Sequence, residues 1–158
     1  MSASWIDSIE HNRWLSRNTH SLLEHGRAAT APTGYGYFTR DGELDRDRSV
    51  DLAITARMTF VYSLGTLLGI PGSRRYCDHG IRSLRTFFKD RDHGGWYTSI
   101  RHDPSEDGLG VPWSEDGESK WQYAHAFLIL AAATAAVANR PGAVELLQEA
   151  LADQDEHW

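Results

Sequence analysis

The chain has 158 residues, 41% of them hydrophobic and 24% charged, with a net charge of −6. This composition is typical of one globular domain, and an acidic balance without a basic run argues against nucleic acid or an anionic membrane surface as a partner. A single cysteine, Cys77, excludes an internal disulfide, and no apolar run reaches the roughly 18 residues of a membrane span. The single cysteine favours the cytosol, and no export signal is visible near the N-terminus, so we expect a cytoplasmic protein.

The hydrophobic pattern predicts five helices, separated by loops rich in glycine and proline. We expect the first helix to begin at an N-cap, Ser4, and to end near Gly26. The predicted helices cover residues 4–25, 51–68, 73–89, 119–139 and about 142 to the end, with a short strand near 95–100 and a loop over 101–118. The predicted buried side of the first helix consists of Trp5, Ile9, Leu15, Leu22 and Leu23.

The second predicted helix carries one residue that its apolar face does not explain. Arg57 shares a face with Val61, Leu64 and Leu68, and a guanidinium is almost never buried without a partner. Arg57 either extends its charged end to solvent or pairs with a carboxylate such as Asp51, or else the face lines a polar cavity into which Arg57 points. The whole apolar face comprises Ile54, Met58, Val61, Tyr62, Leu64, Leu67 and Leu68.

An internal repeat favours the cavity. Ile-Pro-Gly-Ser at 70–73 and Arg-Pro-Gly-Ala at 140–143 stand seventy positions apart, each between two predicted helices. This spacing predicts a repeated helical hairpin that either stacks openly or closes into a ring, with helices 51–68 and 119–139 inside. The second inner helix places His125 among apolar residues and Tyr123 near the edge of that face. A single histidine in such a position is more often a hydrogen-bonded core residue.

Other chemical motifs are weak. No metal-ligand spacing or phosphate loop is present, and Gly34-x-Gly36 lacks the third glycine of a dinucleotide site. Cys77 lies on an apolar helix face, which is typical of packing rather than nucleophilic chemistry. Two of the carboxylates around residues 101–118 could form a glycosidase pair, although a solvated acidic loop is more common.

Several stretches together resemble the N-acylglucosamine 2-epimerase superfamily, and within it the bacterial aldose–ketose isomerases. They follow the family's order over nearly the whole chain. The matching stretches are His-Asn-Arg-Trp-Leu at 11–15, Pro-Thr-Gly-Tyr-Gly at 32–36, Ile-Thr-Ala-Arg-Met at 54–58, Val-Tyr-Ser at 61–63, Pro-Gly at 71–72, Asp-His-Gly-Ile at 78–81, Gly-Gly-Trp-Tyr at 94–97 and Arg-Pro-Gly-Ala at 140–143, with Tyr123, His125 and Phe127.

The resemblance implies an all-α fold that is part of an (α/α)6 barrel with its active site in the central well. It implies a monosaccharide substrate contacted by Arg57 and Tyr123, with His125 beside them, and no metal or organic cofactor. The implied reaction moves a proton between C1 and C2 of an open-chain sugar through an enediol. Ala53 departs from the family, which often has tryptophan close to this position, and this puts the identity of the sugar in doubt.

The family's two catalytic histidines match none of the eight histidines here, so no catalytic residue is predicted. We expect residues 1–158 to be the N-terminal part of a mannose-to-fructose type isomerase, inactive alone, which self-associates or needs a C-terminal half. The alternatives are an N-acyl-hexosamine 2-epimerase and a non-catalytic fragment that binds a sugar or a partner. Glycoside hydrolysis is a weaker third interpretation.

Overall fold

The computed structural model describes residues 4–157. Within this range the fold is all-α, as predicted, with five helices joined by short strands and single 3-10 turns. The helices are α1 (Ile9–Gly26), α2 (Leu52–Leu67), α3 (Ser73–Thr86), α4 (Gln122–Val137) and α5 (Ala143–His157). The strands form two antiparallel pairs, β1 (Thr30–Ala31) with β2 (Gly34–Tyr35) and β3 (Val50–Asp51) with β4 (Ser99–Ile100). No helix in the described range is long and apolar enough to cross a membrane.

The predicted repeat of a helical hairpin is confirmed by the turns of α2–α3 and α4–α5. The backbone N–H of Ile70 and that of Arg140 each donate to the carbonyl five residues earlier, at 2.9 and 3.0 Å. Gly72 and Gly142 then adopt φ angles of 85° and 77°, which favour glycine and start the next helix. Both hairpins therefore reverse the chain by the same hydrogen-bonded turn.

The two hairpins form two layers. α2 packs along α4 in one layer, while α3 lies behind α2 and α5 behind α4. α3 and α5 meet at only a few residues, and an outer cleft of about 920 Å³ opens between them. Charged side chains from both helices line this cleft, including Arg82, Arg85 and Glu149.

Small and hydroxyl-bearing side chains form the buried side of α2, where the helices approach most closely. A Cβ added to Gly80 of α3 would lie 2.0 Å from Oγ1 of Thr59. The Thr59 hydroxyl donates to the carbonyl of Thr55 at 2.7 Å, so burial leaves it without an unsatisfied donor. Cys77 is also buried here, with Sγ 3.1 Å from the hydroxyl of Ser63, and burial raises the pKa of its thiol. The packing role predicted for Cys77 is confirmed.

The predicted burial of the first helix is wrong except at Leu23. A 3-10 turn precedes the helix, and Ser8, not Ser4, caps it by accepting from the N–H of His11. The helix is attached mainly through its C-terminal end, where the Tyr62 hydroxyl donates to the carbonyl of Leu23 at 3.0 Å. Most of its apolar residues therefore stay outside the core. The side chains predicted as buried but found exposed are Trp5, Ile9, Leu15 and Leu22.

The wide apolar face predicted for α2 is mostly not the face that packs. Val61, Leu64 and Leu68 are 41%, 40% and 71% exposed, because the close contact with α3 is made on the side that carries Thr59. In α5, likewise, Leu146 is buried whereas Val144 and Leu151 are exposed. The predicted strand near 95–100 is reduced to β4, and the predicted loop contains a 3-10 turn at Glu115–Glu118.

A buried ion pair joins the end of the first hairpin to the start of the second. The side chain of Asp90 is 2% exposed and lies 2.6 Å from Nζ of Lys120. Burial alone would raise the pKa of Asp90, but the Lys120 hydrogen bond and the backbone N–H groups of His93 and Asp92 outweigh it and lower the pKa to about 2. Folding therefore stabilises the ionised form of Asp90 relative to the protonated form.

This depressed pKa predicts acid sensitivity. Because the folded-state pKa lies below the ordinary 3.8, the stabilisation is complete above about pH 4 and is lost as the pH falls to about 2. We expect Asp90 to contribute about 2 kcal/mol near neutral pH. Urea unfolding across this pH window should show the loss in the native chain and a flatter profile in Asp90→Asn. The exposed Asp107→Asn serves as control, and an equal flattening there would contradict the prediction.

Candidate functional site

One side of the α2–α4 layer is left uncovered, and we call it the open face. It carries side chains at helical spacing on both helices, so two parallel stripes lie next to each other. α2 contributes Arg57, Val61, Leu64 and Leu68, and α4 contributes Tyr123, Phe127, Leu130 and Val137. The spacing argument that placed Arg57 on the face of Val61, Leu64 and Leu68 is thus confirmed, but that face is exposed rather than packed.

Arg57 and Tyr123 are joined on the open face through Phe127. Cζ of Arg57 lies 5.2 Å from the centre of the Phe127 ring, and the Tyr123 ring meets the same ring edge-on with 5.1 Å between centroids. Tyr123 is 62% exposed, and Arg57 is exposed as well. Two hydrogen-bonding groups therefore project from one aromatic support.

The predicted alternative in which Arg57 pairs with Asp51 is wrong. The carboxylate of Asp51 accepts from the Tyr37 hydroxyl at 2.5 Å and from the Ser49 hydroxyl at 2.6 Å. Within residues 4–157, Arg57 forms no salt bridge. Its guanidinium donors remain available to a ligand on the open face.

The structure does not bring His125 to this face. Its side chain is 4% exposed, Nε2 lies 2.8 Å from the carbonyl oxygen of Ala150, and Nδ1 lies 3.7 Å from a carboxylate oxygen of Asp153. Two residues along a helix turn about 200°, so His125 faces α5 while Tyr123 faces outward. This geometry favours the hydrogen-bonded core histidine over a substrate contact.

The chemistry of the open face suits a neutral, hydroxyl-rich ligand. A guanidinium presents five donors and a phenol can donate or accept, while Phe127 and the neighbouring leucines offer apolar contact to C–H groups. Neither α2 nor α4 contains an aspartate or glutamate, so the face lacks the paired carboxylates of a glycosidase. In the described part of the chain, no group of three or more histidine, cysteine or acidic side chains is arranged to hold a metal ion.

The sequence analysis proposed Arg57 and Tyr123 as contact residues but gave Phe127 no role. The sequence did hold one sign of its contact with Tyr123, because Phe127 follows Tyr123 by four residues, the spacing at which side chains on a helix touch. The contact with Arg57 depends on how α2 and α4 are aligned. That alignment is not encoded in the spacing along either helix.

Comparison with known proteins places the chain in a family. Residues 34–158 match the model of the N-acylglucosamine 2-epimerase (GlcNAc 2-epimerase) family. A D-mannose isomerase of Thermobifida fusca is 37% identical over 149 residues, which cover 94% of this chain and 34% of that protein. A D-mannose isomerase of Pseudomonas cannabina pv. alisalensis is 34% identical over 149 residues, covering 94% and 33%. The chain thus spans about a third of the length of these curated relatives. It belongs to the N-acylglucosamine 2-epimerase family, on the branch that contains the D-mannose isomerases.

Proposed function

We propose that residues 1–158 form the N-terminal, sugar-contacting part of an aldose–ketose isomerase that interconverts mannose and fructose. The observation that carries this proposal is the pair Arg57 and Tyr123, held on Phe127 at an uncovered face. Two relatives named D-mannose isomerase support the choice of sugar. The barrel well of the complete domain corresponds, in this proposal, to the open face.

The proposed division of labour follows from which groups the open face has. Isomerisation through an enediol needs an acid/base with a pKa near neutrality and donors for the developing enediolate. Arg57 supplies fixed positive charge and donors, and Tyr123 supplies a hydroxyl. His125, the only histidine of α2 and α4, is held by the carbonyl of Ala150. We therefore assign binding and charge stabilisation to this part of the enzyme, and proton transfer to residues beyond it.

A specific observation keeps N-acyl-hexosamine 2-epimerisation as a second candidate. Ala53 precedes Arg57 by one helical turn and is half-buried. A methyl group in this place is much smaller than the tryptophan that the family often has close to it, and a smaller side chain one turn from Arg57 favours a bulkier sugar such as an N-acyl-hexosamine. Competition between D-mannose and N-acetylmannosamine for the chain separates the two candidates, since the preferred sugar displaces the other.

The test combines binding with turnover. D-mannose is titrated into the chain while NMR follows both the protein resonances and the appearance of fructose. Saturable binding that perturbs residues of the open face is the result we expect. Binding at a different face would contradict the proposal, and binding without fructose would identify the chain as a sugar-binding part that needs further residues for turnover.

We also propose that the exposed apolar residues drive self-association. Trp5, Ile6 and Ile9 are 64%, 69% and 69% exposed near the start of α1, and an apolar groove of about 480 Å³ separates the end of α1 from α2. Exposed patches of this kind are typical of interaction surfaces. Sedimentation velocity should show a mass that rises with protein concentration. Ile9→Glu should reduce the association, whereas a monodisperse, cooperatively melting monomer would contradict it.

A further inference from the structure

We infer that Phe127 is a positioning residue that holds Arg57 and Tyr123 in a binding geometry before the sugar arrives. The inference rests on the proposed function, because it concerns how the same two side chains meet their ligand. Phe127 affects the binding of the sugar indirectly, through Arg57 and Tyr123.

The position of Phe127 between the two helices is the first argument. The ring, on α4, is half-buried and packs against the core, and its contact with Arg57 reaches α2. Core packing therefore restrains the ring, while Arg57 and Tyr123 are exposed. A fixed ring between two exposed groups is suited to restrict both of them.

The second argument concerns the freedom of Arg57. An arginine side chain is long and flexible, and an exposed one without a carboxylate partner samples many rotamers. The face of the Phe127 ring, 5.2 Å from Cζ, attracts the guanidinium through its quadrupole. This contact selects conformations in which the donors point across the open face, so less conformational entropy is lost when a sugar binds.

The third argument concerns Tyr123, which makes a T-shaped contact with the same ring. This arrangement, with 73° between the ring planes, is one of the favoured aromatic geometries. One ring therefore contacts both Tyr123 and the guanidinium of Arg57. An aliphatic side chain of similar volume would fill the space but would attract neither group in this directional way.

The experiment separates ring chemistry from volume. Phe127→Leu should raise the Kd for D-mannose about two- to fivefold, the equivalent of about 0.5–1 kcal/mol, whereas Phe127→Trp should keep it near the native value. The Nε–Hε resonance of Arg57 should move downfield in Phe127→Leu, because the shielding of the ring face is lost. Phe87→Leu, a change of another half-buried phenylalanine at the end of α3, is the control and should alter neither readout.

A coupled variant distinguishes the inference from its premise. In an Arg57→Ala background, Phe127→Leu should add little to the Kd, since most of its effect passes through the missing guanidinium. If Phe127→Leu raised the Kd by the same factor in the native chain and in the Arg57→Ala variant, Phe127 would have a structural role and the inference would be overturned. An unchanged Kd in Phe127→Leu, with a strong effect of Arg57→Ala, would overturn positioning and leave the proposed function standing. An unchanged Kd in Arg57→Ala would overturn both.

Discussion

Replacing Arg57 with alanine is expected to weaken the binding of D-mannose on the order of 10- to 100-fold. Hydrogen bonds to a charged group contribute about 1.5–3 kcal/mol each, and a factor of ten in Kd corresponds to about 1.4 kcal/mol. The guanidinium is exposed, forms no salt bridge within the described residues and leans on Phe127, so its donors are not committed elsewhere. Its removal should therefore cost affinity and leave the free energy of unfolding nearly unchanged.

The measurement is a calorimetric or NMR titration of D-mannose against matched variants. Arg57→Lys keeps the charge but loses the planar fork, so its affinity should fall between those of the native chain and Arg57→Ala. Arg74, exposed on α3 in the outer layer, supplies the control, and Arg74→Ala should bind like the native chain. Native affinity in Arg57→Ala would remove this residue from the site.

The largest loss of stability is expected from Gly80→Val, which should lower the free energy of unfolding by about 3 kcal/mol. A Cβ at this position would lie 2.0 Å from Oγ1 and 2.9 Å from Cβ of Thr59, so α2 and α3 must separate to admit it. In Gly80→Ala, the helix propensity of alanine, about 1 kcal/mol better than that of glycine, would offset part of the steric clash. Valine has a lower helix propensity than alanine and a larger side chain, so in Gly80→Val the clash dominates.

Chemical denaturation of the variants measures this effect. Thr59→Ala should restore part of the stability of Gly80→Val, because it removes the atom in closest conflict. Arg82→Val, at an exposed position two residues later on the same helix, controls for the lower helix propensity of valine and should cost less than 1 kcal/mol. Equal losses in Arg82→Val and Gly80→Val would show that the contact with Thr59 is not what limits the substitution.

Sequence periodicity predicted the helices and the repeat, but not which side of α2 packs. Apolar residues lie on nearly every side of α2, so the hydrophobic pattern does not indicate which side is buried. Thr59 and Ser63 are counted as polar from sequence, yet each hydroxyl donates to a carbonyl four residues earlier, at 2.7 Å. Self-satisfied hydroxyls can be buried at little cost, and small residues allow the close approach that Leu64 and Leu68 would prevent.

The candidate site was only partly predictable for a similar reason. Spacing within one helix placed Arg57 with its neighbours and put Tyr123 near the edge of the apolar face of α4. Spacing could not reveal that Phe127 of α4 would meet Arg57 of α2, because that contact is set by the relative shift of two helices. The same helix geometry turns His125 toward Ala150, although the resemblance had placed it with Tyr123.

The outer cleft has a consequence for the curvature of the molecule. The buried part of α4 is dominated by small side chains such as Ala131, Ala132 and Ala135, and α2 and α4 lie in extended contact. Long charged side chains line the outer cleft, and Arg85 of α3 pairs with Glu149 of α5 across it at 3.8 Å, so the two backbones approach at only a few residues. Each hairpin is thus a wedge, narrow on the side of α2 and α4 and broad on the other. We expect wedges that repeat with one turn geometry to bend in one sense, and we propose that Arg57 and Tyr123 lie on the concave side of that bend.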